Sequence, residues 1–530
     1  MRTPAMLPRH LLLTTLAMAL LLAATSPAAA QATRDAAACE SLRTLQIPGL
    51  ALEITGAQWV PAGTPPGRGG GGPGPAAPLP AYCRLDGMLD RRTGGDGNPY
   101  GIGFALALPG EWNGRFLFQG GGGLNGSVQL PLGAAASGDM PALARGFAVA
   151  STDTGHQGQG AFDGRFQAEQ QASLDFAYQA VGRVAVLAKQ IIARHYAEPA
   201  HHSYFAGCST GGREAMLMAQ RYPTYFDGVI SGAPAMRTGF SGIGDAWVAT
   251  MLNQVAPRND QGQPVTREAL SESDKRAIID GFLDACDALD GVEDGMVFDT
   301  RACGFDPHAL VCSGATQDGC LTAAQADAVA KAFAGPKDSQ GTQVYPGFLY
   351  DTGIASTQGI PGLLHGGQVV GGSGTDTEMD VDARAARAAA NPASILADTS
   401  TWTNLNTFSS GGGKLLFFHG VSDPWFSALD TVDYYERMTA AGGGSAAVQE
   451  WSRLYLVPGM GHCGGGPALD RFDLLTAVVD WAENGVVPDA VVSEGRAFPG
   501  RSRPLCSYPQ HAHYTGTGDP QDARNYVCRE

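Results

Sequence analysis

Short apolar runs bounded by glycine and polar residues recur through the middle of the chain, at Arg115–Gln119, Gly146–Ser151, Ser203–Ala206, Gly228–Ser231 and Lys414–Phe418. Runs of this length without strict alternation predict strands buried on both faces. Between them the period changes. From Ala172 to His195, residues Leu174, Ala177, Val181, Val184, Ala185, Ala188, Ile191 and Ile192 recur at helical spacing and predict one long helix. The strand His202–Gly207 follows, and then a second helix over Arg213–Tyr222 that Pro223 stops. Strands alternating with helices predict an α/β fold with a mostly parallel sheet covered on both faces.

The alternation breaks from about Ala235 to Ser409, a stretch with four cysteines, an acidic cluster and a loop-rich run from Leu363 to Pro392. Lys414–Phe418 then resumes the strand pattern. The expected organisation is a catalytic domain built from residues 31–234 and 410–530, with residues 235–409 inserted as a lid. Residues Gly63–Pro80, rich in glycine and proline, read as a loop unable to bury apolar surface. The N-terminus carries Arg2 and Arg9 ahead of an apolar run from Leu11 to Ala24, with small residues at Ala28 and Ala30. Residues 1–30 therefore read as a secretory signal peptide, and no later segment offers the ~18 apolar residues of a membrane span. A secreted or periplasmic location is expected.

Composition narrows the picture. The chain has 35 basic and 51 acidic residues, a net charge of −16, which argues against nucleic acid as a partner. Its ten cysteines, an even number in an exported chain, predict disulfides, although spacing alone leaves the connectivity open.

Candidate chemistry begins at Gly207-Cys208-Ser209-Thr210-Gly211, which satisfies G-x-S-x-G after a strand and before a helix. A serine there projects from a tight turn beside free helix amides that favour an oxyanion. With Ser209 as nucleophile, the base and acid must follow in the order serine, acid, histidine. His419 precedes the best acid, which leaves His462, His511 and His513 among the late histidines. His462 in LYLVPGMGHC follows a strand, as does Asp423 in LLFFHGVSDP, although Ser-Asp-Pro is also a common turn. Cys208 directly precedes Ser209 and Cys463 directly follows His462. Bridging them would bring nucleophile and base within reach, because a disulfide holds its α-carbons roughly 5.5 Å apart. The amide of Thr210 and one from the glycine loop FLFQGGGGLNG are expected to form the oxyanion hole, with Gly121 chosen over Gly120 and Gly122. That loop lacks the lysine of a nucleotide-binding P-loop.

The segments GCSTGG, HGVSDPWF and PGMGHC resemble those of the tannase and feruloyl esterase family, and the resemblance extends over most of the mature chain. It implies an α/β-hydrolase fold with an inserted lid, and hydrolysis of esters of hydroxycinnamic or gallic-type acids by a Ser209–His462–Asp423 triad. It also implies the pairs Cys208–Cys463, Cys39–Cys83, Cys286–Cys303, Cys312–Cys320 and Cys506–Cys528. The loop CDALDGVEDGMV is oxygen-rich but not an EF-hand. On the family pattern, Asp287, Asp290 and Asp294 with the carbonyls of Val292 and Met296 hold a structural calcium. Trp425 and Phe426 are expected to line the substrate pocket. Arg384 and Arg387 lie in an alanine-rich helix and do not supply an evident grip for a free carboxylate, which weighs against the alternative of terephthalate monoesters. From another class, the alternative is a catalytically silent fold that binds a phenolic. The pattern leaves the oligomeric state open.

Overall fold

The computed structural model describes residues 35–63, 77–314, 319–355 and 374–530. The expected signal peptide and most of the Gly63–Pro80 loop lie outside them. A nine-stranded sheet organises the fold in the order β1-β2-β3-β5-β4-β6-β7-β8-β9. At one edge, β1 (Leu52–Val60), β2 (Tyr82–Thr93) and β3 (Pro99–Pro109) form an antiparallel meander, and β3 joins β5 antiparallel. The remaining strands are parallel: β4 (Arg115–Gln119), β5 (Ala148–Thr152), β6 (His202–Cys208), β7 (Gly228–Gly232), β8 (Lys414–Gly420) and β9 (Ser452–Val457).

The short apolar runs split between two cores with a period of two, as a pleated strand requires. Phe116, Phe118, Phe205, Leu415 and Phe417 enter one core, together with the helices α1 (Ala180–Tyr196) and α2 (Thr210–Gln220). Leu117, Tyr204, Ala206, Leu416 and Phe418 enter the other, against Leu474, Leu475, Val478 and Trp481 of the helix Leu474–Asn484. Both faces are covered, so apolar residues are needed at consecutive positions.

The predicted helix Ala172–His195 is divided. An α-helical turn, Gln170–Leu174, leads into a π-helical turn, Asp175–Gln179, and only then into α1. The buried Asp175 pairs with Arg92 at 3.2 Å from another part of the chain. The carbonyls of Phe176 and Ala177 accept from the buried Arg213 guanidinium at 3.0 and 2.8 Å. These long-range polar partners are invisible to periodicity. Gly146, with φ 85°, closes the preceding turn, so β5 begins at Ala148 rather than at Gly146.

Between β7 and β8 the chain forms α3 (Thr238–Asn253), α4 (Glu272–Cys286), α5 (Ala323–Ala334) and α6 (Val381–Ala390). Val248, Leu252, Ile278, Val329, Phe333 and Tyr345 give this segment a core of its own. Disulfides join Cys39 to Cys83, Cys208 to Cys463, Cys286 to Cys303, Cys312 to Cys320 and Cys506 to Cys528. No described helix is long and apolar enough to cross a membrane.

Candidate active site

Ser209 sits where β6 turns into α2, with φ 66° and ψ −126°. A side chain at positive φ is strained and must be held by its surroundings. Here the Ser209 amide donates to Gly232 O at 3.0 Å, and its carbonyl accepts from the amides of Arg213 and Ala235, each at 3.0 Å. The flanking glycines serve close approach. A Cβ on Gly207 would lie 2.4 Å from Gly211 O, and one on Gly211 would lie 2.6 Å from Gly121 O.

His462 Nδ1 lies 2.7 Å from Asp423 Oδ2, so the predicted acid and base meet. Cys208 and Cys463, bonded with their α-carbons 5.9 Å apart, tie the histidine loop to the serine turn. Ser209 and His462 line one cavity. The other oxygen of Asp423 accepts from the amides of Trp425 at 2.9 Å and Phe426 at 3.1 Å. A second histidine completes the shell: the buried His419 places Nε2 3.3 Å from Asp423 Oδ2 and 3.0 Å from Phe426 O, with Nδ1 2.8 Å from Thr431 Oγ1. Burial pushes the Asp423 carboxyl up, but His462 and His419 outweigh it and hold the group below the usual carboxylate range. His419 precedes the acid in sequence, so the serine, acid, histidine order does not select it. Its role is to contact the acid at i+4, and the sequence order of a triad cannot reveal that.

The glycine loop changes one expectation. The amide of Gly121 donates to Glu214 Oε2 at 2.9 Å and that of Gly120 to Ala206 O at 2.9 Å, so neither is free to meet a substrate. Gly121 is thereby corrected as an oxyanion donor. Gly122, which also lines the cavity, donates to no group among the described residues. Glu214 is buried in the first turns of α2, and its other oxygen accepts from Asn125 Nδ2 at 2.6 Å. Burial pushes its carboxyl up. The Thr210 hydroxyl donates to Gly123 O, fixing the same loop from the helix side.

The cavity holds about 870 Å³, and Phe162, Trp425 and Phe426 contribute aromatic surface to it. Trp425 and Phe426 stand 5.8 and 5.3 Å from the His462 ring, centroid to centroid, and Phe162 stacks on Trp425 at 5.2 Å. One wall comes from α3, which presents Asp245. Burial, with a smaller push from Asp423, sends the Asp245 carboxyl well above the usual range. Arg384 and Arg387 lie on α6 away from the cavity lining.

The acidic loop at residues 287–296 runs between α4 and the C-terminal strands. Asp287 accepts from the Gly295 amide at 3.1 and 2.9 Å, and Asp290 Oδ2 accepts from the Phe298 amide at 2.9 Å. Asp290 Oδ1 is buried with no hydrogen-bond partner among the described residues, and burial pushes this carboxyl up to about 7. An unpaired buried oxygen beside two further carboxylates suits a hard cation. Asp294 is also held by the Arg503 guanidinium, with Arg501 at 3.6 Å.

A model of the family described as tannase and feruloyl esterase matches residues 88–371 and 354–529. Mono(2-hydroxyethyl) terephthalate hydrolase of Piscinibacter sakaiensis is 38% identical over 519 residues, covering 86% of this chain and 85% of that protein. Feruloyl esterase B of Aspergillus niger is 31% identical, with 79% of this chain and 82% of that protein covered. Among solved structures, feruloyl esterase B from Aspergillus oryzae superimposes with a TM-score of 0.75 at 27% identity, covering 93% of this chain and all of that one. Tannin acyl hydrolase from Aspergillus niger, 23% identical with a TM-score of 0.71 and covering 93% of this chain and 94% of that one, shares the fold. Sequence and structure agree: the chain belongs to the tannase and feruloyl esterase family.

Proposed function

We propose that the protein is an exported serine esterase that hydrolyses carboxylic esters of aromatic acids through an acyl-enzyme. The observation that carries this reading is the 2.7 Å His462–Asp423 pair tied by Cys208–Cys463 to a serine held at φ 66°. His462 takes the Ser209 proton as the hydroxyl attacks the ester carbonyl, and Asp423 holds the imidazole in the tautomer whose Nε2 accepts. The amides of Thr210 and Gly122 stabilise the oxyanion. His462 then returns the proton to the departing alkoxide, and water repeats the sequence at the acyl-enzyme. Trp425 and Phe426 supply aromatic surface beside the reacting centre.

Residues 235–409 act as a lid whose α3 wall closes the cavity. Asp287, Asp290 and Asp294 with the carbonyls of Val292 and Met296 would hold calcium, which would neutralise the acidic loop and brace the lid against the C-terminal strands. Five disulfides suit an oxidising compartment, consistent with export. The second reading, a terephthalate monoester hydrolase, is favoured by the 38% identical relative of that name. Hydrolysis of methyl ferulate, methyl gallate and a terephthalate monoester by the pure protein and by Ser209→Ala tests the assignment. Activity on at least one ester should vanish in the variant while the fold is retained; turnover persisting in a pure variant refutes Ser209 as the nucleophile.

A further inference from the structure

Helix α3 turns a face of small residues to the cavity, Thr238, Gly239, Ser241 and Gly242, and then Asp245. Asp245 Oδ1 is buried without a hydrogen-bond partner among the described residues. The mechanism leaves this carboxyl idle, since Asp423 already serves His462. An unpaired polar group at the wall of a cavity is costly unless a ligand completes it. Burial first, and the neighbouring Asp423 charge second, favour the neutral acid, which donates through its O–H and accepts through its carbonyl oxygen.

The charges around the cavity limit what that ligand group can be. Two arginines line it, and both are spent. Arg213 donates to Ala177 O and Phe176 O, and Arg471 is paired with Glu494 and, at 3.4 Å, with Asp139. A carboxylate on a substrate ring would find no free cation among these groups to pair with. A ring hydroxyl would meet the Asp245 carboxyl, of which Oδ1 lacks a partner among the described residues.

We infer that Asp245 is a specificity residue, hydrogen-bonding a hydroxyl on the aromatic ring of the acyl group, in a cavity whose lining offers a ring carboxylate no free cation. The inference rests on the ester-hydrolase reading above. A site built to pair a substrate hydroxyl rejects the analogue that lacks it, because its own polar group is then left unsatisfied.

The test compares kcat/KM for methyl dihydroxycinnamate and methyl cinnamate in the wild type, Asp245→Leu and Asp245→Ala. The ratio should favour the hydroxylated ester in the wild type and fall at least about tenfold in both variants. An unchanged ratio, whether both rates hold or both fall together, overturns the inference and leaves the esterase reading standing. Should both variants fail to fold, the wild type alone decides between dimethyl terephthalate and its anionic monomethyl ester. Preference for the neutral diester supports the inference, and preference for the anion overturns it. If the wild type turns over none of these esters, no ratio can be formed, and the esterase reading itself falls.

Discussion

Asp423→Asn separates orientation from charge at the triad without removing an atom of side-chain bulk. Asp423 Oδ1 accepts two backbone amides, Trp425 at 2.9 Å and Phe426 at 3.1 Å, while Oδ2 faces His462 Nδ1 at 2.7 Å and His419 Nε2 at 3.3 Å. An asparagine keeps its oxygen toward the two amides, because a flip would set its NH₂ against two N–H donors. Its NH₂ then faces His462 and can be accommodated only if Nδ1 becomes an acceptor. The imidazole proton moves to Nε2, the nitrogen that must accept from Ser209, so the base is present in the wrong tautomer. The expected loss is roughly 10⁴-fold in kcat, about 5.4 kcal/mol at ~1.36 kcal/mol per decade. The assay is steady-state release from a chromogenic aryl ester, with circular dichroism to verify the fold. A folded variant that keeps more than about a tenth of wild-type kcat refutes the orienting role. Stability carries a second signature. Because the folded Asp423 titrates below its unfolded value, its contribution is fully present above the unfolded pKa of ~3.9 and is lost as pH falls through the lower folded one. The stability gap between wild type and variant should therefore hold above pH ~4 and narrow below it. A gap that widens on acidification contradicts the assigned direction.

The remaining predictions concern the braces. Cys208→Ser with Cys463→Ser should cost roughly 2–4 kcal/mol of stability in denaturant titration. It should also lower kcat more than tenfold where the protein is still folded, since ~1 Å of misplacement costs about 10² in rate; full turnover in the double variant shows the clamp dispensable. Removing divalent cations with a calcium-selective chelator should lower Tm by a few degrees, reversibly on adding calcium. That follows if saturating cation contributes about 2.7 kcal/mol at a hundredfold excess over Kd. A Tm indifferent to both additions refutes the calcium loop.

The parallel strands were legible because their signal is local. Arg115–Gln119 reads as apolar in succession, and its residues divide between two cores on that same stretch. The proximity of Ser209, Asp423 and His462 was legible because each follows such a strand and cysteines flank two of them. What the sequence withheld depends on partners far along the chain. Gly121 and Gly122 are indistinguishable as letters, and what separates them is a carboxylate on Glu214 that reaches back to claim one amide. The π turn at Asp175–Gln179 answers Arg92 and Arg213 rather than its own periodicity. Asp245 sits in an otherwise apolar and small-residue helix, where a lone aspartate carries no signal until the cavity beside it is known.

Buried carboxylates recur at the joints between the catalytic loops, and their chemistry explains why. Asp351, from the segment between β7 and β8, accepts from Ser422 Oγ at 2.8 Å, the Gly459 amide at 2.6 Å and the Thr352 amide at 2.8 Å. It thereby joins the residue before the triad acid to the loop that leads into His462. Glu214 does the same for the serine helix and the glycine loop. A carboxyl group presents two acceptor oxygens, so it can collect donors from two loops that have no regular pairing with each other. Such amides would otherwise be buried without partners, at a cost of about 1–3 kcal/mol each. In the proposed mechanism Ser209, Asp423, His462 and the Gly122 amide come from four separate loops at the sheet edge. Covalent linkage through Cys208–Cys463 fixes one pair of these loops, and Asp351 and Glu214 fix the two others. Those two carboxylates therefore constrain the relative placement of Ser209, Asp423 and His462 although neither is a member of the proposed triad.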